Sequence, residues 1–238
     1  MRRRRKPAAV LAVALLLWAA AGCGVRASSE PSPSASAPAS SGASGAAVPA
    51  DSACGLPGSG EQSLSSAPEV DEWHHESTSL WPWPSSKEYG PGRTTSKGVR
   101  ECFAYSPQGA VFAAANIAAM WSDPALMSDK SVVLGFFGHG SQYGRLKAKL
   151  AESGAPSIKA MEGVRATMAG VRLLDMHDGK AVVDLGYDGS SEGHGSAVSI
   201  VYRLVWDRGD WKLQCEQDPP VTATTLPTLS GYLDWKEG

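Results

Sequence analysis

Beyond its first six residues this 238-residue chain has no cluster of lysine or arginine. Five of its 22 basic residues lie at positions 2–6, which leaves 17 against 24 acidic residues in the remainder, a net charge of −7. Nucleic-acid binding rests on a basic footprint that neutralises phosphates, so that class is set aside. The apolar run near the start, Ala8 to Ala21, is only 14 residues long. At about 1.5 Å per residue it falls short of a hydrocarbon core of about 30 Å, which excludes a spanning helix there. Histidine is scarce, with five residues, and no His-Glu-x-x-His spacing occurs. No histidine follows His194, so a Ser–Asp–His order cannot be completed from the Gly189–Gly193 region onward.

What is present begins with the leader. Arg2-Arg3-Arg4-Arg5-Lys6, the apolar run and the small residues Ala20-Ala21-Gly22 have the layout of a secretory signal. Cys23 follows directly. Ala-Ala-Gly-Cys resembles the bacterial lipoprotein lipobox, with Ala20 where that family usually carries Leu. The resemblance implies a signal peptide over 1–22 and a mature chain starting at Cys23. It further implies a diacylglyceryl thioether on Cys23 and a lipid-anchored position on the extracytoplasmic face of the cell membrane.

Residues 23–53 are mostly Ser, Ala, Pro and Gly, too poor in large apolar residues to offset ordering entropy. They read as a disordered tether with a root-mean-square span of about 30 Å. Residues 54–103 hold Trp73, Trp81 and Trp83 among many Pro, Gly and Ser, without helical or alternating period. Trp81-Pro82-Trp83-Pro84 cannot be helix interior and predicts an extended strap laid over a domain. An exported chain meets oxidising conditions. Three thiols follow Cys23, enough for one bridge and one left over. Cys54 and Cys102 bracket the strap and are the favoured pair, closing a loop of about 50 residues worth roughly 4 kcal/mol. Cys215 then stays as a buried free thiol in a strand.

Ser106-Pro107 predicts a helix start, with Val111, Ala114, Ala115, Ala118 and Trp121 on one face. Asp123-Pro124 stops this helix and caps a short one; further helices are expected over about 129–137 and 142–152, separated by Gly138-His139-Gly140. After Pro156 the pattern changes to strands: about 161–176, 181–187, 197–206 and 211–216. Asp178-Gly179 and Arg208-Gly209 mark two of the turns, and a loop at 189–195 marks the third. The expected fold is α+β, N-terminal helices packed on a curved four-stranded antiparallel sheet over 104–217, followed by an irregular tail, 218–238, in which Tyr232 and Trp235 pack back.

The element order and the hairpin Val205-Trp206-Asp207-Arg208-Gly209-Asp210-Trp211-Lys212-Leu213 resemble the nuclear transport factor two-like superfamily. Cys54-Gly55-Leu56-Pro57, the Trp/Pro strap and Cys102-Phe103-Ala104-Tyr105-Ser106-Pro107-Gln108-Gly109-Ala110 resemble a family of uncharacterised actinobacterial secreted lipoproteins associated with integrative conjugative elements. What these resemblances imply is a non-catalytic, outer-face component that contacts other proteins in a conjugation or envelope assembly.

Constellations that could carry chemistry are few. Gly189-Ser190-Ser191-Glu192-Gly193 matches Gly-x-Ser-x-Gly but lacks the strand-to-helix context of a nucleophile elbow. His74, His75 and Glu76 alternate sides on an extended chain and read as solvated polar residues. A cone between sheet and helices could hold a small apolar ligand, with Asp184, Tyr187 or His177 as acid or base. Alternation places Asp184 on the face opposite Val183 and Leu185, outside and solvated. The expectation is a protein that is not an enzyme and holds no cofactor or metal. Its partners would be the membrane, through Cys23, and an envelope protein; small-ligand binding or acid–base catalysis in the cone is the alternative.

Overall fold

The computed structural model describes residues 51–153, 165–191, 194–216 and 220–237. Cys23, the signal and most of the tether therefore lie outside the described residues. The order begins with strands: β1 (Glu72–His74), β2 (Trp83–Ser85), β3 (Arg93–Thr94) and β4 (Arg100–Glu101). Helices α1 (Pro107–Trp121), α2 (Pro124–Met127), α3 (Lys130–Gly135) and α4 (Tyr143–Ser153) follow. After them come β5 (Arg165–His177), β6 (Lys180–Ser191), β7 (His194–Asp207), β8 (Asp210–Leu213), β9 (Val221–Leu226) and β10 (Leu233–Asp234).

The expected class is overturned on two counts. Four short strands precede the helices, which are therefore not N-terminal. The sheet is antiparallel and six-stranded, in the order β10-β5-β6-β7-β8 with β9 also on β7. The two strands beyond the expected four come from the tail that was read as irregular. β7 is long enough to share one edge between two partners: β8 takes Leu204–Asp207 and β9 takes Ala197–Tyr202. β10 is only two residues long, beneath the length at which alternation can be read from sequence.

Local chemistry explains the helices. Ser106 accepts a hydrogen bond from the Gly109 N–H, and Pro107 occupies the first turn of α1. Asp123 and Asp129 cap α2 and α3 in the same manner. α1 is apolar on every side, and every residue from Gly109 to Met120 is buried. It lies between the strap and the sheet, packing on β2 and β4 on one side and on β5 to β8 on the other. Ala181, Val183, Leu185 and Tyr187 of β6 face it, as do Tyr202, Leu204, Trp211 and Leu213.

The strap tryptophans pack down as expected. Trp81 tilts against Tyr187 at 5.0 Å and Trp73 against Trp235 at 5.4 Å. Cys54 and Cys102 are joined by a disulfide, and Cys215 is a buried free thiol. Among the described residues no helix is long and apolar enough to cross a membrane.

The loop expected at 189–195 is mostly strand. β6 runs to Ser191 and β7 starts at His194, paired with one another, and residues 192–193 lie outside the described residues. Of the Gly-x-Ser-x-Gly match, Gly189-Ser190-Ser191 thus lies in strand β6.

Candidate functional site

A surface groove of about 540 Å³ opens beside the disulfide. Arg93 and Glu101 of the β3–β4 hairpin form one wall, and Ser131, Leu134 and Gly135 of α3 another. The rest comes from Phe137, His139, Tyr143 and the β7–β8 hairpin with Asp207, Arg208, Asp210 and Lys212. The hairpin turn positions these groups. Arg208 and Gly209 both have positive φ, 52° and 78°, the conformation of a two-residue primed turn. A Cβ on Gly209 would sit 2.8 Å from the Ala53 nitrogen, and the Ala53 N–H donates to the Gly209 carbonyl at 2.8 Å. The strap therefore begins against the last hairpin, and its end is fixed there too. Asp210, almost fully buried, accepts from the Phe103 N–H at 2.9 Å and from Lys212 Nζ at 2.8 Å.

The charges of the groove are paired with one another. Arg93 Nε lies 2.6 Å from Glu101, and His139 Nδ1 lies 2.8 Å from Asp207 Oδ2. Arg208 also contacts the His139 ring, which tilts against Tyr143 at 4.1 Å. Desolvation pushes the Asp207 carboxyl upward. Hydrogen bonds from the His139 side chain and backbone, with the charges of His139 and Arg208, outweigh it and leave the group below its ordinary value. The Ser131 hydroxyl donates to Asp129 at 2.6 Å and accepts from Lys97 at 2.7 Å, so it is not aligned with His139. The groove can recognise a polar, charged surface, and among the described residues its Ser131 hydroxyl has no imidazole partner.

The sequence candidates for acid–base chemistry are dispersed. Tyr187 is buried on the core face beside Tyr202, where desolvation raises its hydroxyl well above the ordinary value. His177 is exposed at the end of β5, 3.0 Å from Asp175. Asp184 does lie on the opposite face of β6, but it is not solvated: 1% is exposed. It accepts from Arg172 at 2.5 Å, Ser199 at 2.7 Å and Tyr232 at 2.7 Å. Alternation gave the correct face and the wrong environment, because the C-terminal segment covers that face. Tyr232 lies over a cross-strand glycine pair, Gly170 and Gly186, where a Cβ would come within 2.8 and 2.9 Å of it. Two glycines in adjacent strands were the available signal that something packs there.

His74, His75 and Glu76 also separate. His74 stacks on Trp83 at 3.9 Å and meets Ser85 at 2.8 Å. His75 pairs with Glu237, and Glu76 with the buried Arg100. Among the described residues no group of three or more His, Cys, Asp or Glu is placed to hold a metal ion. The space expected between helices and sheet is occupied by Phe112, Met120, Met127, Phe136 and Trp211, all nearly inaccessible. His139 and Asp207 were missed as partners, being 68 residues apart and brought together by the β8 edge. There Gly138 N–H donates to the Leu213 carbonyl at 2.8 Å.

A family model described as a domain of unknown function (DUF8175) matches residues 33–234. No curated protein and no solved structure matches the chain.

Proposed function

The chain belongs to the DUF8175 family, and from that premise and the geometry above we propose that it is a non-enzymatic, membrane-tethered interaction module. Cys23 carries the lipid, the residues between it and the docked Ser52–Ala53 form the leash, and the folded part presents the groove beside the disulfide to a protein of the cell envelope. The setting is a conjugation or other envelope assembly on the extracytoplasmic face. One observation carries the reading: the interior is filled by aromatic and apolar side chains, while the open concavity lies on the surface. Its charges are already neutralised by neighbours, an arrangement suited to meeting another polar protein surface rather than to transforming a substrate.

The test has two arms. Cys23→Ala should move the protein from the membrane fraction to the soluble one; a mutant that still sediments with membranes removes the lipid anchor. Affinity purification from detergent-solubilised membranes should recover a partner with the wild type and lose it with Arg93→Glu/Arg208→Glu. Equal recovery by both removes the groove from the interface.

A further inference from the structure

The disulfide that closes the strap joins two unlike halves. Cys54 is exposed, whereas Cys102 is 1% exposed. Cys102 is also fixed by the backbone around it. Its carbonyl accepts from the Gly92 N–H at 2.8 Å, and the next residue, Phe103, donates to the buried Asp210 at 2.9 Å. Its φ is 70°, in the left-handed region that a residue with a Cβ enters when its surroundings hold it there. Cys102 therefore keeps its place whether or not the bridge is closed.

The Cys54 half is held lightly. Ser52, Gly55 and Leu56 hydrogen-bond among themselves, and the Ala53 N–H reaches outward to the Gly209 carbonyl. The next backbone tie along the strap joins the Ser59 N–H to the Tyr105 carbonyl at 2.8 Å. Gly92 lies beside the bridge, and a Cβ there would sit 3.2 Å from that of Cys102 and 3.4 Å from that of Cys54. Being glycine, and itself exposed, it leaves this flank of the bridge uncovered. A thiolate displaces sulfur along the S–S axis, so it reaches Cys54 from solvent and would reach Cys102 only through the interior.

We propose that Cys54–Cys102 is a thiol–disulfide exchange site that opens the start of the strap, its reactant a protein dithiol. One thiolate of the dithiol attacks Cys54 Sγ, the S–S bond breaks, and Cys102 leaves as a thiolate that takes up a proton. The second thiol of the reductant then attacks its own sulfur in the mixed disulfide, and Cys54 leaves as a thiol. Two electrons and two protons pass to the bridge, and the reductant ends as a disulfide. Cys215 takes no part: it is buried, and burial pushes its thiol up to about 11. Trp73, Trp81 and Arg100 keep their contacts with Trp235, Tyr187 and Asn116, so the opening is confined to residues 51–58. The inference concerns the bridge alone and does not rest on the groove's having a partner or on the lipid anchor.

The probe is a thioredoxin whose second active-site cysteine is replaced by serine, added to the full chain in detergent without denaturant. It should trap a mixed disulfide that peptide mapping places on Cys54, with Cys102 alkylated as a free thiol. With dithiothreitol the reduction rate should be first order in dithiol and change less than about twofold up to about 1 M urea. A bridge reached only through global unfolding would accelerate about fivefold or more over that range. After reduction, amide exchange should quicken at residues 53–56 while α1 and β5 to β8 stay protected. An adduct on Cys102, a bridge untouched by either thiol until denaturant is added, or faster exchange spread through the core each overturns the proposal.

Discussion

The strap before the helices and the segment after β8 do the same job with different chemistry. Each is rich in Pro, Gly and polar residues, each carries aromatics, and each covers the α1–sheet core. The strap is closed by the Cys54–Cys102 disulfide and held at its centre by Arg100, whose side chain is 1% exposed. Arg100 donates to Asn116 Oδ1 and to Glu76, both at 2.9 Å, and lies 4.4 Å over the Trp83 ring. Asn116 of α1 in turn donates to the Pro84 carbonyl, so the Arg100–Asn116 pair holds the Trp83–Pro84 end of the Trp/Pro stretch. The C-terminal segment has no covalent tie. It pairs as β9, presses Tyr232 on the outer face over Asp184, rounds the β5 edge as β10 and buries Trp235 against Phe112. A segment that pairs only with itself and does not join the main sheet needs a crosslink and a buried charge; one that finishes the main sheet is held by the sheet itself.

The sharpest break of this contrast is Cys54→Ser. The bridge spans 48 residues of sequence, and on the chain-entropy model its loss costs about 4 kcal/mol. For a chain of this size that lowers the melting temperature by roughly 10 °C. Calorimetry under non-reducing conditions checks it, and an unchanged transition would mean that packing alone holds the strap. Arg100→Met comes next. It leaves the Asn116 carbonyl oxygen without its donor and removes the stack on Trp83, a cost of about 1–3 kcal/mol by denaturant titration. On the other side of the comparison, Gly170→Ala would place a Cβ 2.8 Å from that of Tyr232. The cost is about 1–3 kcal/mol, and faster amide exchange should be confined to residues 229–235. Global acceleration would show that the segment is not a separate unit.

The two segments also differ in how legible they were. The strap could be read: tryptophans between prolines have no use in a floating chain, and two cysteines bracketed them. Its short strands could not, because two- and three-residue pairings carry no period. Helix starts were legible through Ser106, Asp123 and Asp129, each next to a proline or an apolar run. β9 was hidden by its Thr-rich composition after two prolines. Asp184 shows the physical limit most plainly. Period 2 assigns a face from neighbours in the strand, but whether that face meets water is decided by Leu229 and Tyr232, over 40 residues away. The candidate groove was illegible for the same reason: its walls come from the strap, α3 and the last hairpin, which meet only in the fold.

The smallest expected effect concerns pH and lies at the strap's anchor, the β7–β8 hairpin. Asp207 has a folded value below its ordinary one, so the unfolded chain binds the proton more readily. Its contribution is complete above the ordinary carboxylate range and is lost as pH falls through the lower, folded value. The carboxylate is 22% exposed and its partners His139 and Arg208 are more exposed still, so solvent screening keeps the contribution to about 1 kcal/mol or less. Asp207→Asn should therefore flatten the acid limb of stability against pH slightly while leaving the C-terminal segment's amide exchange unchanged. An acid limb identical to wild type would place the acid sensitivity elsewhere. A large change, with loosening of residues 229–235, would mean that the strap and the C-terminal segment act as one cooperative cover rather than two.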